Sequence, residues 1–185
     1  MKRTLFLLYF TLIFPLFSKI IETAHFQEIL TYANDETLIL LDIDDTILIT
    51  PQMLGTDEWL RHQTDERKKK GMDPKEAFTK SLAEWEIIRH LTFMELVEPG
   101  TDAIIHSLQA KGFPVMGLTM QGVTLATRTT HQLKMHQLDL SLNAPEQENH
   151  CLKIHGRNIF YIDGIMYTAG VSKADALFAL CAKIG

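Results

Sequence analysis

Three carboxylates follow directly on an apolar run, in the order Leu40-Leu41-Asp42-Ile43-Asp44-Asp45-Thr46. Acids crowded together repel one another unless a positive group binds between them. A hard divalent cation with oxygen ligands, Mg2+ first, is the natural partner. In an extended chain alternate side chains share a face, so Asp42 and Asp44 point the same way. Such a pair suits a nucleophile beside a general acid or base. The competing reading is an acidic turn that caps the next segment, and the apolar run in front argues against it.

The elements that must position these acids are readable from pattern. Residues 37–43 form a continuous apolar run, which predicts a strand buried on both faces, as in a parallel sheet. Ligands of open α/β sheets bind at the carboxyl ends of such strands, where the acids stand. Residues 20–33 read as a helix, with a turn at 34–36, and residues 56–70 as a polar helix capped by Thr56 and stopped by Gly71. Asp73-Pro74-Lys75-Glu76 opens another, with Asp73 as cap, Pro74 at the first helical position and Glu76 reaching back as in a capping box; Phe78, Leu82 and Trp85 share one of its faces. The basic run 67–70 reads as a solvated helix end. Beyond Pro99-Gly100 come a helix at 101–111, a second buried strand at 113–119, a helix at 126–138, strand and turn around Asp163-Gly164, and a last helix at 173–184. Strands alternating with helices predict an α/β domain with a mainly parallel sheet, interrupted at 50–95 by a helical insertion.

Composition agrees with one folded domain: 185 residues, 46% hydrophobic, 22% charged. A net charge of −5 speaks against nucleic acid as the main partner. Lys2 and Arg3, an apolar run at 5–17 and Ser18 make a secretory signal pattern, with cleavage expected after Ser18 and an uncleaved membrane anchor as the alternative. The run is short for a membrane span, which needs roughly 20 apolar residues. Either way the domain is expected to be exported, to the periplasm or outside the cell. Two cysteines, Cys151 and Cys181, form one bridge or none.

The motif Asp42-Ile43-Asp44-Asp45-Thr46 resembles the first motif of the haloacid dehalogenase-like (HAD) hydrolases, Asp-x-Asp-x-Thr after an apolar strand. Val115-Met116-Gly117-Leu118-Thr119 resembles their second motif, a strand ending in Thr or Ser. Lys173 stands where their third motif places a lysine, and Gly164-Ile165-Met166-Tyr167-Thr168 before it is similar to a segment of an exported bacterial branch. The resemblance covers residues 20–185. It implies a Rossmann-like core at 19–49 and 96–185 with a small helical cap at 50–95. It implies a Mg2+-dependent phosphohydrolase acting on small phosphomonoesters. In that chemistry Asp42 is the nucleophile that forms an aspartyl-phosphate, and Asp44 is the general acid and base. Thr119 and Lys173 bind the phosphoryl group, and Asp42 with the Asp44 carbonyl holds Mg2+.

The family pattern continues with a strand after the lysine helix, ending in acids that complete the metal site. The sequence stops at Gly185, so the expectation is a core lacking its last strand or strands. Asp163 precedes Lys173 in an expected turn and is no substitute. Without that strand the apolar run 38–43 becomes a sheet edge open to a partner chain. The alternative function is therefore a catalytically inactive, truncated remnant that acts as a binding module. Weaker signals are read as ordinary structure: the spacing of His131, His136, His150, Cys151 and His155 matches no common zinc pattern. Lys153 is a less suitable phosphate ligand than Lys173. Arg128 reads equally as a substrate contact or a solvent-facing side chain, and Trp59 and Trp85 as packing between cap and core.

Overall fold

The computed structural model describes residues 19–185; the expected signal segment at 1–18 lies outside the described residues. The chain forms α1 (Ile29–Tyr32), β1 (Ile39–Leu41), β2 (Leu48–Ile49), α2 (Asp57–Lys69), α3 (Pro74–Leu91) and β3 (Glu95–Leu96). Then come α4 (Thr101–Ala110), β4 (Val115–Thr119), α5 (Ala126–Met135), β5 (His150–Ile154), β6 (Arg157–Ile162), β7 (Ile165–Tyr167) and α6 (Lys173–Ile184). The central sheet has the order β1-β4-β7-β6-β5. β1, β4 and β7 pair in parallel, and β6 and β5 add antiparallel neighbours. Every strand but β6 therefore runs in one direction, and the domain is α/β with a mostly parallel sheet.

Each face of the sheet has its own core. Ile39, Leu41 and Val115 face one side and join Ile105, Leu108, Leu133 and Tyr167 there. Met116 and Leu118 face the other side with Ile159, Tyr161, Met166 and the α6 residues Ala176 and Leu180. β4 is buried throughout, as its apolar run predicts. β1 is not. It lies at the sheet edge, and Leu38 and Leu40 remain 38% and 37% exposed. The reason is reach: α6 covers the side of the sheet that includes Met116 and Met166, and no residue of β1 belongs to that core.

Local signals fix the insertion. The Thr56 hydroxyl oxygen accepts from the Trp59 N–H at 3.1 Å. The Asp73 carboxylate accepts from the Lys75 and Glu76 N–H groups. These are two helix caps, each worth about 1 kcal/mol. Glu76 completes no capping box; its side chain pairs with Lys80 at 2.8 Å instead. β2 and β3 close the insertion at its base as a two-stranded antiparallel ribbon. Lys68, Lys69 and Lys70 of the basic run are exposed as expected, but Arg67 bonds Ser81 and Glu84 at 2.5 and 2.6 Å and so ties α2 to α3.

The helix expected at 20–33 is shorter. A 3-10 turn at Phe26–Glu28 leads into the four residues of α1. Thr23 forms a local turn with His25, and Glu98 accepts the Phe26 N–H at 2.7 Å, so backbone groups that a longer helix needs are bound elsewhere. β5, absent from the sequence reading, pairs with β6. The expected turn at Asp163-Gly164 joins β6 to β7. Both residues have positive φ, 50° and 76°, the signature of a two-residue type I′ hairpin. Cys151 and Cys181 are unbridged and exposed. Among the described residues no helix is long and apolar enough to cross a membrane.

Candidate active site

The carboxyl ends of β1, β4 and β7 meet beneath the insertion, and a cavity of about 860 Å³ lies between them and the helices α2 and α3. Asp42, Asp44, Thr119 and Lys173 all line it. Alternation survives past the end of β1: Ile43 is fully buried on the core side while Asp42 and Asp44 face the cavity. The chain then turns sharply at Asp45, whose φ is 57°. Two amides, Ile47 N–H and Leu48 N–H, donate to the Ile43 carbonyl, and Asp45 N–H donates to Leu48. This closed turn leads into β2 and the insertion.

Asp42 receives the Lys173 ammonium at 2.6 Å and its neighbour's N–H, that of Ile43, at 2.9 Å. Lys173 is the first residue of α6, where the helix dipole disfavours a cation. The Asp42 carboxylate offsets that cost. The loop after β7 sets the lysine's position through three bonds to the end of β4: Thr168 N–H to Thr119 O, Ala169 N–H to Gln121 O and Gly170 N–H to Met120 O. Thr119 is fully buried, and its hydroxyl oxygen accepts from the Gln121 N–H at 3.1 Å. Its hydroxyl hydrogen has no acceptor among the described residues, and the residue lies in the cavity wall.

Asp44 sits in a different environment. Arg89 of α3 forms an ion pair with it, the two side chains being 7% and 20% exposed. The Gln121 amide donates to both its oxygens at 3.0 and 2.9 Å. Thr129 orients that amide by donating to its oxygen at 2.6 Å. Burial pushes the Asp44 pKa above the ordinary carboxylate value of 3.8; Arg89 and Gln121 oppose the shift, and Asp57 and Asp42 add to it. Asp45 is raised as well, again mainly by burial.

Arg89 and Gln121 were not foreseen. For Arg89 a signal was present. It lies four residues beyond Trp85 and so extends the face formed by Phe78, Leu82 and Trp85, and a cation on an apolar face needs a carboxylate. Trp85 lies under it, with the guanidinium carbon 5.0 Å from the ring centroid.

Other candidates fall elsewhere. Arg128 donates to the Thr92 carbonyl at 2.8 Å and stacks over Phe93, so it fastens the end of the insertion to α5. Lys153 is exposed on β5, away from the cavity. Asp163 is in its turn. The histidines are scattered among separate partners: His136 bonds Met94 O, His150 faces Glu146 and His155 faces Asp175. Trp85 lines the cavity and Trp59 does not.

For a divalent cation the available donors are the Asp42 carboxylate and the Asp44 main-chain carbonyl, which no N–H among the described residues engages. Among those residues no three His, Cys, Asp or Glu side chains converge as a metal cluster. This donor set fits Mg2+ as an ion that keeps most of its waters, which is that ion's ordinary habit.

A mostly parallel sheet whose strand ends present carboxylates and a lysine to a cavity beneath two helices defines an α/β protein with its candidate site at the carboxyl ends of the strands. The chain belongs to the family described as "Protein of unknown function (DUF2608)", whose profile matches residues 22–185. It is similar to two proteins of Chlamydia pneumoniae, each named "Putative outer membrane protein". One is 26% identical over 144 residues, covering 76% of this chain and 52% of the relative. The other is 24% identical over 146 residues, covering 79% and 54%. The chain thus spans about half the length of these curated relatives. No solved structure matches it.

Proposed function

We propose that this chain is an exported, Mg2+-dependent phosphohydrolase of the haloacid dehalogenase-like type, with the insertion at 50–95 as its cap. The observation that carries the reading is the convergence of Asp42, Asp44, Thr119 and Lys173 on one covered cavity, with Lys173 2.6 Å from Asp42. In the first step an Asp42 oxygen bonds to phosphorus as the bond from phosphorus to the alcohol oxygen breaks. Asp44 gives that oxygen its proton. In the second step Asp44, now a carboxylate, takes a proton from water. The water oxygen bonds to phosphorus, the bond to Asp42 breaks, and phosphate leaves. A raised Asp44 pKa supports the role of acid, since the group must hold a proton before the first step. Lys173 balances charge on Asp42 and the phosphoryl oxygens, and the Thr119 hydroxyl donates to one of those oxygens. Asp42 and the Asp44 carbonyl would hold Mg2+, which would supply further charge neutralisation. The helices of the insertion stand over the reacting centre as the wall of the cavity. Export is supported by the N-terminal signal pattern and by the names of the Chlamydia relatives.

The test is hydrolysis of an aryl phosphate by the full chain, with and without Mg2+, beside Asp42→Asn. Mg2+-dependent turnover that Asp42→Asn abolishes is expected. Folded protein without turnover would overturn the hydrolase and favour the second reading. In that reading the exposed edge formed by Leu40 of β1 and Leu38 just before it binds a partner strand.

A further inference from the structure

We infer that the cavity selects phosphomonoesters of apolar alcohols, aromatic or alkyl, over those of sugars and polyols and over substrates with a second anionic group. This rests on the proposed hydrolase and names its substrate class.

Three observations lead there. The first is size. A cavity of about 860 Å³ is far larger than a phosphoryl group and falls in the range that encloses a drug-sized molecule. Most of it must therefore receive the alcohol. The second is the chemistry of the walls. The phosphoryl-binding groups lie together at the strand ends, whereas Leu60 of α2 and Phe78, Leu82 and Trp85 of α3 line the insertion side, with Met120 on the core side. Phe78 and Met120 are 48% and 58% exposed. Large apolar side chains left open inside a cavity gain free energy when an apolar group covers them. A polyol covering the same surface would lose hydrogen bonds to water without replacement.

The third is charge. Asp45, Asp57, Asp65 and Glu86 also line the cavity. The α2 cations are engaged with acids of their own helix, Arg61 with Asp57 at 3.9 Å and Lys68 with Asp65 at 3.1 Å. Arg157, exposed at the rim, is the lining cation without a carboxylate partner among the described residues. With those two pairs set aside, a second phosphate or carboxylate would face two acids, Asp45 and Glu86, and one cation, Arg157. One phosphate and an uncharged apolar body fit this arrangement.

The experiment compares 2-phenylethyl phosphate and octyl phosphate with glycerol 3-phosphate, following phosphate release by the full chain with Mg2+. All three are esters of aliphatic alcohols, so leaving-group acidity contributes little. The two apolar esters are expected to exceed glycerol phosphate about tenfold or more in kcat/KM, the scale on which apolar pockets discriminate. Phe78→Ala should reduce the ratio of the apolar to the glycerol kcat/KM several-fold. Equal rates on apolar and polar esters, or a preference insensitive to Phe78→Ala, overturn the inference and leave the hydrolase standing. Should no ester be hydrolysed, binding decides, measured by calorimetry with 2-phenylethylphosphonate and methylphosphonate. Tenfold tighter binding of the former, lost in Phe78→Ala, keeps the selectivity while the hydrolase falls. Equal or absent binding overturns both.

Discussion

Arg89 is the one side chain by which the insertion grips the acid pair, and its replacement has a magnitude that follows from the structure. In Arg89→Met, Asp44 keeps both hydrogen bonds from Gln121 but loses its counterion. Removing one partner of a buried ion pair costs about 3–5 kcal/mol. Asp44 is 20% exposed to the cavity and retains the Gln121 amide, which brings the cost to about 2–3 kcal/mol. Loss of the guanidinium over Trp85 adds about 0.5–1 kcal/mol. The sum, about 3 kcal/mol, would lower the urea midpoint by about 1–2 M at the slope of a small domain. Asp44→Asn leaves Arg89 buried beside a neutral amide and should also destabilise. The double variant removes both charges, so a cycle of the four proteins should give a coupling of about 2 kcal/mol. Arg89→Lys should fall between, since an ammonium keeps the charge without the planar stack. A coupling below about 0.5 kcal/mol, the scatter of independent sites, would refute the claim that this pair joins the insertion to the core.

Three further outcomes are expected. Lys173→Met should lower kcat on an aryl phosphate about 10²–10³-fold with the unfolding midpoint little changed, because the ion pair with Asp42 is partly exposed and of small structural worth. Gly164→Ala should destabilise by about 1–3 kcal/mol in urea unfolding, since its φ is 76° and a Cβ there would collide with the Leu140 carbonyl. Glu98 is held below its ordinary pKa of 4.5, chiefly by the hydrogen bond from the Phe26 N–H. Its stabilisation is therefore present above pH 4.5 and lost as pH falls through the lowered value. Hydrogen exchange at the Phe26 amide should lose protection in acid, and Glu98→Gln should remove that pH dependence.

What the sequence disclosed depended on how far apart the interacting residues are. The caps at Thr56 and Asp73, the turn at Asp163-Gly164 and the start of the last helix at Lys173 are local, and each lies where its pattern indicates. β2 and β3 are two residues each and exist only because positions 48 and 96 meet, which no local window contains. β5 reads His-Cys-Leu-Lys-Ile, and only Leu152 and Ile154 pack on the core beneath it, too few for the alternation to stand out from a polar stretch. The start of the first helix was lost to Glu98, 72 positions away from the Phe26 amide it binds. β1 reads as doubly buried because a run of Leu and Ile does not say whether a helix will cover its second face.

The candidate site divides in the same way, and the division bears on chemistry. The spacing of Asp42 and Asp44 places both carboxylates on one side of the strand end, and it makes them equivalent. The structure makes them different. Asp42 is served from the core, by a lysine at a helix start and a neighbouring amide. Asp44 is served from the insertion by Arg89 and from the β4 loop by Gln121, and it is the more buried. Two acids whose surroundings push their proton affinities apart can divide the labour of nucleophile and acid. Here burial raises the Asp44 pKa while Arg89, 45 positions from it, and Gln121, 77 positions away, oppose the shift, contacts that pairing by fold creates and motif spacing does not record. If the insertion swung away it would take the counterion of Asp44 with it and leave Asp42 with Lys173 unchanged. The proposed cap would then govern the acid of the reaction as well as access to the cavity.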